Sequence, residues 1–236
     1  MKTKVLITGG SGLLAVNWAL ATRSHYTVTL LLHHKKISLL GVETDIAPLS
    51  SLDECSSILL KHQPDIVIHT AGLTNIEECD VNPDLAQEVN VDLARNIAIS
   101  CSNQGVKLVH ISTDQLFLGD QEFTTENTST NPVNNYAKTK LIGDQKVLEN
   151  CKDALVIRTN FFGWGVSYRQ SFSDFILNKL RNNESVDLFS DVFFTPILID
   201  NLCSKVHQLI DLKATGLFNI VSSERVSKYD FGIKLA

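Results

Sequence analysis

Short apolar runs alternate with longer amphipathic stretches through the first two-thirds of the chain. Lys4–Thr8, Thr27–Leu32, Asp65–Thr70, Val106–Ser112 and Ala154–Thr159 are rich in Val, Ile and Leu without polar alternation. That is the pattern of parallel strands buried on both faces. Between them, Leu13–Arg23, Leu49–His62, Pro83–Gln104 and Tyr136–Asn150 carry helical periodicity. Asn82 and Pro83 supply a start signal, and Gln104-Gly105 a stop. Repeated β–α alternation predicts an α/β fold, a doubly wound parallel sheet with right-handed crossovers.

The alternation breaks after Thr159. Phe161-Phe162-Gly163-Trp164-Gly165 is aromatic and glycine-rich, and the pattern is irregular from there on. Residues 1–160 are therefore expected to form a nucleotide-binding domain. Residues 161–236 are expected to form a smaller substrate lobe over the strand ends, with some segments returning to the sheet. The chain stops within an apparent helix, Ser227–Ala236, with no capping signal, and reads as having an incomplete C-terminus.

Composition narrows the function classes. The 236 residues are 44% hydrophobic and 20% charged, enough for a sizeable core. Net charge is -5 with no basic stripe, which argues against nucleic acid as a partner. Cysteines 55, 79, 101, 151 and 203 are odd in number and lack a Cys-x-x-Cys, so reduced, buried thiols are expected. No apolar run approaches the ~20 residues of a membrane span. The start, Met-Lys-Thr-Lys, runs into a strand too short for a signal sequence. The expected location is cytoplasmic, away from membranes.

Gly9-Gly10-Ser11-Gly12-Leu13-Leu14-Ala15 follows the first strand and opens the first helix, spaced as Gly-x-x-Gly-x-x-Ala. Glycine lets the backbone turn tightly against a pyrophosphate, and the helix N-terminus offers free N–H groups. Gly9, Ser11, Gly12, Leu13 and Leu14 are the candidate contacts of a Rossmann-type dinucleotide site. The plain alternative is a strand-to-helix turn. The second strand runs into His33-His34-Lys35-Lys36, with no acid before Glu43. An NAD site calls for an acid there, whereas His33, His34 and Lys35 suit a 2′-phosphate. NADP(H) is expected ahead of NAD(H), the alternative for this segment being a solvated basic loop. Asp45-Ile46 would lie by the adenine, and Thr70, Ala71 and Gly72 at the end of the fourth strand along the cofactor.

Ser112-Thr113-Asp114 closes the fifth strand, and Tyr136 and Lys140 follow one helical turn apart. In such sheets ligands bind beyond the carboxyl ends of the strands. Thr113 could then donate to a carbonyl oxygen while Tyr136 moves a proton. Lys140 would hold a ribose and draw the phenol pKa down. A strand-end hydroxyl capping the backbone is the plain reading of Thr113.

In this order, the glycine turn, Ser-Thr-Asp and Tyr-x-x-x-Lys resemble the extended short-chain dehydrogenase/reductases. Further likeness lies in His-Thr-Ala-Gly (69–72), Asn90-Val91, Ser-Thr-Asp-Gln-Leu-Phe (112–117), Asn-Asn-Tyr-Ala-Lys-Thr-Lys (134–140) and Ile-Arg-Thr-Asn (157–160). Within that group the chain is most similar to dTDP-4-dehydrorhamnose reductases. The resemblance implies NADPH-dependent reduction of a 4-keto-deoxysugar nucleotide, with Thr113, Tyr136 and Lys140 as the catalytic set. It places Ser112, Tyr136 and Lys140 against the cofactor, and Thr113, Asp114, Asn160, Phe161 and Phe162 against the sugar nucleotide. Segments 170–172 and 189–196 are implied to face the nucleotide sugar as well. Family reductases often dimerise through Mg²⁺-binding acids, so a homodimer is one assembly to expect. Glu77-Glu78-Cys79-Asp80 reads here as a solvated acidic turn, and no metal site is expected. Two other functions remain open. One is an NAD-retaining sugar-nucleotide epimerase; the other is a non-catalytic regulatory binder of the same fold. A dehydratase-like site would read Thr-Asp-Glu, and Gln115 stands where that second acid would be.

Overall fold

In the computed structural model, which describes residues 2–117, 119, 122 and 124–236, seven strands form one parallel sheet. They are β1 (Lys4–Thr8), β2 (Thr27–Leu32), β3 (Glu43–Ile46), β4 (Ile66–His69), β5 (Lys107–Thr113), β6 (Leu155–Thr159) and, from far along the chain, a strand at Gly216–Asn219. The spatial order is β3-β2-β1-β4-β5-β6 with Gly216–Asn219 outside β6. This is the doubly wound Rossmann order, with its switch point between β1 and β4.

Each face of the sheet is covered by helices. One face packs α1 (Leu13–Thr22), and the other packs α2 (Leu52–His62), α5 (Leu93–Gln104) and α6 (Asn135–Asn150). Two short helices, α3 (Ile76–Val81) and α4 (Pro83–Gln87), precede α5. Beyond residue 160 come β7 (Phe161–Phe162), α7 (Phe172–Arg181), β8 (Phe193–Phe194), β9 (Ile197–Leu198) and α8 (Ile199–Asp211). The Gly216–Asn219 strand is β10, followed by β11 (Val226–Ser227) and α9 (Lys228–Leu235).

After residue 160 part of the chain returns to the sheet. Helix α8 buries Leu202, Cys203 and Val206 in the core beside α1, where Trp18 Nε1 donates to His207 Nε2 at 3.1 Å. β10 then extends the sheet. A separate small core joins Ile176, Phe194, Val226 and Phe231.

Two expected elements differ. The helix expected over Pro83–Gln104 is α4 and α5 joined by a π-turn at Glu88–Asp92, a wider coil that commonly marks a functional site. The acidic turn at 77–80 is the helix α3, capped by Asn75, whose side chain accepts from the Glu78 N–H. Its Cys79 is buried against Ala86 and Tyr136. All five cysteines are buried and unpaired. No helix among the described residues is long and apolar enough to cross a membrane.

Candidate functional site

The glycine turn is built by close packing. Gly9 has a φ of +65°, a left-handed conformation suited to glycine, and a Cβ there would stand 2.9 Å from the Ala71 backbone. The Gly12 N–H donates to the Gly9 carbonyl at 2.7 Å. Gly12 caps α1 without a side chain, and no acid occupies the first turn, so the helix dipole faces the turn unopposed. Leu14 is buried in the core, so its backbone alone can face a ligand. The other lip of the cleft is Thr70-Ala71-Gly72. Thr70 Oγ1 donates to the Thr8 carbonyl at 2.7 Å, and the Ala71 N–H to Thr8 Oγ1 at 3.3 Å. A backbone turn this tight before an open helix N-terminus fits a dinucleotide pyrophosphate.

At the end of β2, His33, His34, Lys35 and Lys36 are exposed. Lys35 Nζ lies 3.6 Å over the Tyr168 ring, and the Tyr168 hydroxyl donates to the Ser11 carbonyl at 2.8 Å. Arg169 of the same loop reaches Thr74 Oγ1 at 3.2 Å. Segment 168–169 thus bridges the glycine turn, at Ser11, and Thr74, just beyond the second lip. The Asp45 carboxylate on β3 is taken up by Lys61 and His62 of α2, which pull its pKa down, while Ile46 is 48% exposed.

At the carboxyl end of β5, Thr113 and Tyr136 are both buried, and Thr113 Oγ1 accepts from the Gln115 N–H at 3.2 Å. Helix α6 places Tyr136: Asn134 caps it by accepting from the Ala137 N–H, and Asp80 accepts from the Asn135 N–H at 3.0 Å. Asp114 is held by Asn160, whose Nδ2 donates to both carboxylate oxygens at 3.1 Å. Burial pushes the Asp114 carboxyl up from its usual range. Phe161 and Phe162 follow Asn160 on β7, half-buried. Ser112 is buried with no partner for its hydroxyl among the described residues, and Gln115 is exposed.

The phenol departs from expectation. Its pKa is pushed up to about 12, first by burial and then by Asp114, against the pull of Thr113. Lys140 does not draw it down because the ammonium faces inward. Its Nζ donates to the Ile111 carbonyl at 2.8 Å and lies 3.4 Å from His110 Nε2. Burial lowers the Lys140 pKa to about 8, with Asp144 opposing.

Two further residues shape the site, Asn90, marked in the sequence only by the Asn90-Val91 likeness, and Asp144. Asn90, in the π-turn, donates through Nδ2 to the Leu73 carbonyl and Thr139 Oγ1, and its Oδ1 accepts from the Leu73 N–H at 2.9 Å. It ties the cleft lip to the helix that carries Tyr136. Asp144 had a readable clue, standing one helical turn beyond Lys140 on the same face. Among the described residues no group of three or more His, Cys, Asp or Glu side chains is arranged to hold a metal.

The model of one protein family, described as RmlD substrate binding domain, matches residues 3–236. A probable low-salt glycan biosynthesis reductase, Agl14 of Haloferax volcanii, is 26% identical over 233 residues, 97% of this chain and 78% of that protein. The dTDP-4-dehydrorhamnose reductase of Salmonella typhimurium is 26% identical over 177 residues, 72% of this chain and 58% of that protein. Among solved structures, the dTDP-4-dehydrorhamnose reductase of Bacillus anthracis in complex with NADP superposes with a TM-score of 0.83. It is 24% identical, and the match covers all of this chain and 80% of that one. The fold, the cleft and the whole-length family match lead to one assignment: the chain belongs to the RmlD substrate-binding-domain family, within the NAD(P)-dependent oxidoreductases of the extended short-chain dehydrogenase/reductase type.

Proposed function

We propose that the protein reduces the 4-keto group of a deoxysugar nucleotide at the expense of NADPH. The observation that carries this reading is the placement of Tyr136 and Lys140, one turn apart on α6, buried with Thr113 at the carboxyl end of β5. A phenol with a pKa near 12 holds its proton at neutral pH. It is thus protonated, the form in which a reductase needs it to give a proton to the keto oxygen. Gln115 supplies no base for water elimination.

When bound, NADPH supplies the hydride. The residues of the chain do the rest. Gly9, Ser11, Gly12 and the N-terminus of α1 receive the pyrophosphate. His33, His34 and Lys35 face the 2′-phosphate, which no acid at the end of β2 repels. Thr113 donates to the keto oxygen and orients it. Tyr136 passes its phenolic proton to that oxygen as the alcohol forms, and Lys140 keeps a positive charge beside the site. Asp114, held by Asn160, and the half-buried Phe161 and Phe162 border the space left for the sugar. The cofactor side rests on the basic cluster, and the substrate class on the reductases among the relatives.

The test is NADPH oxidation with a panel of 4-keto-6-deoxy nucleotide sugars. Replacing Tyr136→Phe should lower turnover by on the order of 10²–10⁴, while NADPH fluorescence titrations stay nearly unchanged. Wild-type turnover in that variant would remove Tyr136 from the reaction. NAD copurifying with the protein would favour the epimerase, and binding without turnover of any sugar the regulatory role.

A further inference from the structure

Beneath the Tyr136–Lys140 pair lies a buried polar cluster that the proposed proton transfer leaves unused. Thr8, His69 and His110 are register partners across β1, β4 and β5. Thr8 Oγ1 and His69 Nδ1 are 2.8 Å apart, and the two imidazoles stack with centroids 5.3 Å apart. At the end of this row, Asp144 is 1% exposed. Arg158 Nε on β6 donates to its Oδ2 at 3.1 Å. His110 Nε2 lies 3.6 Å from Asp144 Oδ1 and 3.4 Å from Lys140 Nζ, so the imidazole stands between the two. Among the described residues, Asp144 Oδ1 has no hydrogen-bond partner.

We propose that Asp144 is a positioning residue for Lys140: clamped by Arg158, it keeps the buried ammonium charged and seated against the Ile111 carbonyl at the floor of the site. The inference rests on the reading of Lys140 as part of that site. Burying a carboxylate and a guanidinium together is often no better for stability than an apolar pair, so stability alone accounts poorly for them. Lys140 gives them a purpose. Burial drives the ammonium toward its neutral form, and Asp144 is the group that opposes this. The imidazoles are no substitute, because burial and Lys140 hold both far below their ordinary pKa, leaving them neutral. With one N–H on Ile111 and another toward His110, the ammonium keeps a third for a ligand ribose.

Lys140 is faced by Tyr136 and Asp144 on its own helix, His110 on β5 with His69 behind it on β4, and Arg158 on β6 beside Asp144. Removing the Asp144 charge should thus make Lys140 lose its proton at lower pH. The test is an NMR titration of protein carrying lysine labelled with ¹³C at Cε, with the Lys140 signal assigned by its absence in Lys140→Met. In Asp144→Asn the titration midpoint should fall by about one pH unit. The alkaline fall of kcat should move by the same amount, and Asp144→Glu should restore both. If Asp144→Asn alone does not fold, Asp144→Asn combined with Arg158→Met leaves no unpaired guanidinium, and the Lys140 midpoint should still fall, by less because a cation is lost with the anion. An unchanged Lys140 midpoint in the folded variant overturns the proposal. The titration needs no turnover, so it is read independently of whether the reductase assignment stands.

Discussion

Gly143 of α6 lies directly against the Asn90 carbonyl oxygen of the π-turn, where a Cβ would stand only 2.3 Å away. The obstructing atom is backbone, so it cannot swing aside as a side-chain tip would. Gly143→Ala should cost about 1–3 kcal/mol or more through overpacking. For a chain of this size that lowers the melting temperature by roughly 2–4 °C per kcal/mol. Because α6 carries Tyr136 and Lys140, turnover should fall as well. A melting curve superimposable on wild type would show that the two helices do not meet this closely.

Asn90 itself should tolerate little. Its side chain satisfies both the N–H and the carbonyl of Leu73 and reaches Thr139 on α6. Asn90→Ala orphans two backbone groups, each costing about 1–3 kcal/mol if it stays dry. Denaturant unfolding should show a loss of that order. A loss below about 0.5 kcal/mol, the range of an ordinary surface change, would mean that water replaces the amide.

The contrast between these residues and the strands shows what a sequence discloses. Val5–Ile7, Ile66–Ile68 and Leu155–Ile157 announce buried parallel strands because burial on both faces demands continuous apolar residues. The glycine turn is legible for a similar reason: Gly9 meets a local backbone demand. Helix α3 was readable too, since Asn75 and Glu78 have N-cap spacing, but three acids within residues 77–80 look like a loop. The π-turn was not readable. It packs against Gly143 on a helix far along the chain, and helical periodicity hardly registers one extra residue. The same limit hid the orientation of Lys140. Spacing alone puts it on the Tyr136 face, but the Ile111 carbonyl and His110 turn its ammonium inward. The contact of Tyr168 with Lys35 and Ser11 depends on a loop reaching back across the cleft, which no local pattern encodes.

Lys35 offers a test of cofactor choice. Its ammonium rests on the Tyr168 ring at the end of β2, where a 2′-phosphate would arrive. A charge-assisted contact to that phosphate is worth about 1.5–3 kcal/mol, so Lys35→Ala should weaken NADPH binding by on the order of tenfold or more. NADH, lacking the phosphate, should be little affected. Parallel fluorescence titrations of the two nucleotides decide it. Equal weakening of both would mean that Lys35 acts through the loop and not through the phosphate.

Acid should destabilise the protein through its buried imidazoles. Burial lowers the His69 pKa from 6.5 to about 3, and lowers that of His110 well below its ordinary value. Unfolded, each would take up a proton below about pH 6.5. The unfolded chain therefore binds more protons than the native one between pH 6.5 and about 3, and stability falls as pH drops through that window. Each neutral histidine contributes a slope of about 1.4 kcal/mol per pH unit. Asp114 and Asp144, whose pKa values burial raises, act in the opposite sense, so the total slope is a net quantity. The difference between wild type and His69→Gln isolates one histidine. Urea unfolding between pH 6 and 4 should give a slope shallower by about 1.4 kcal/mol per pH unit in the variant. Parallel slopes would show that native His69 takes up its proton as readily as the unfolded chain does.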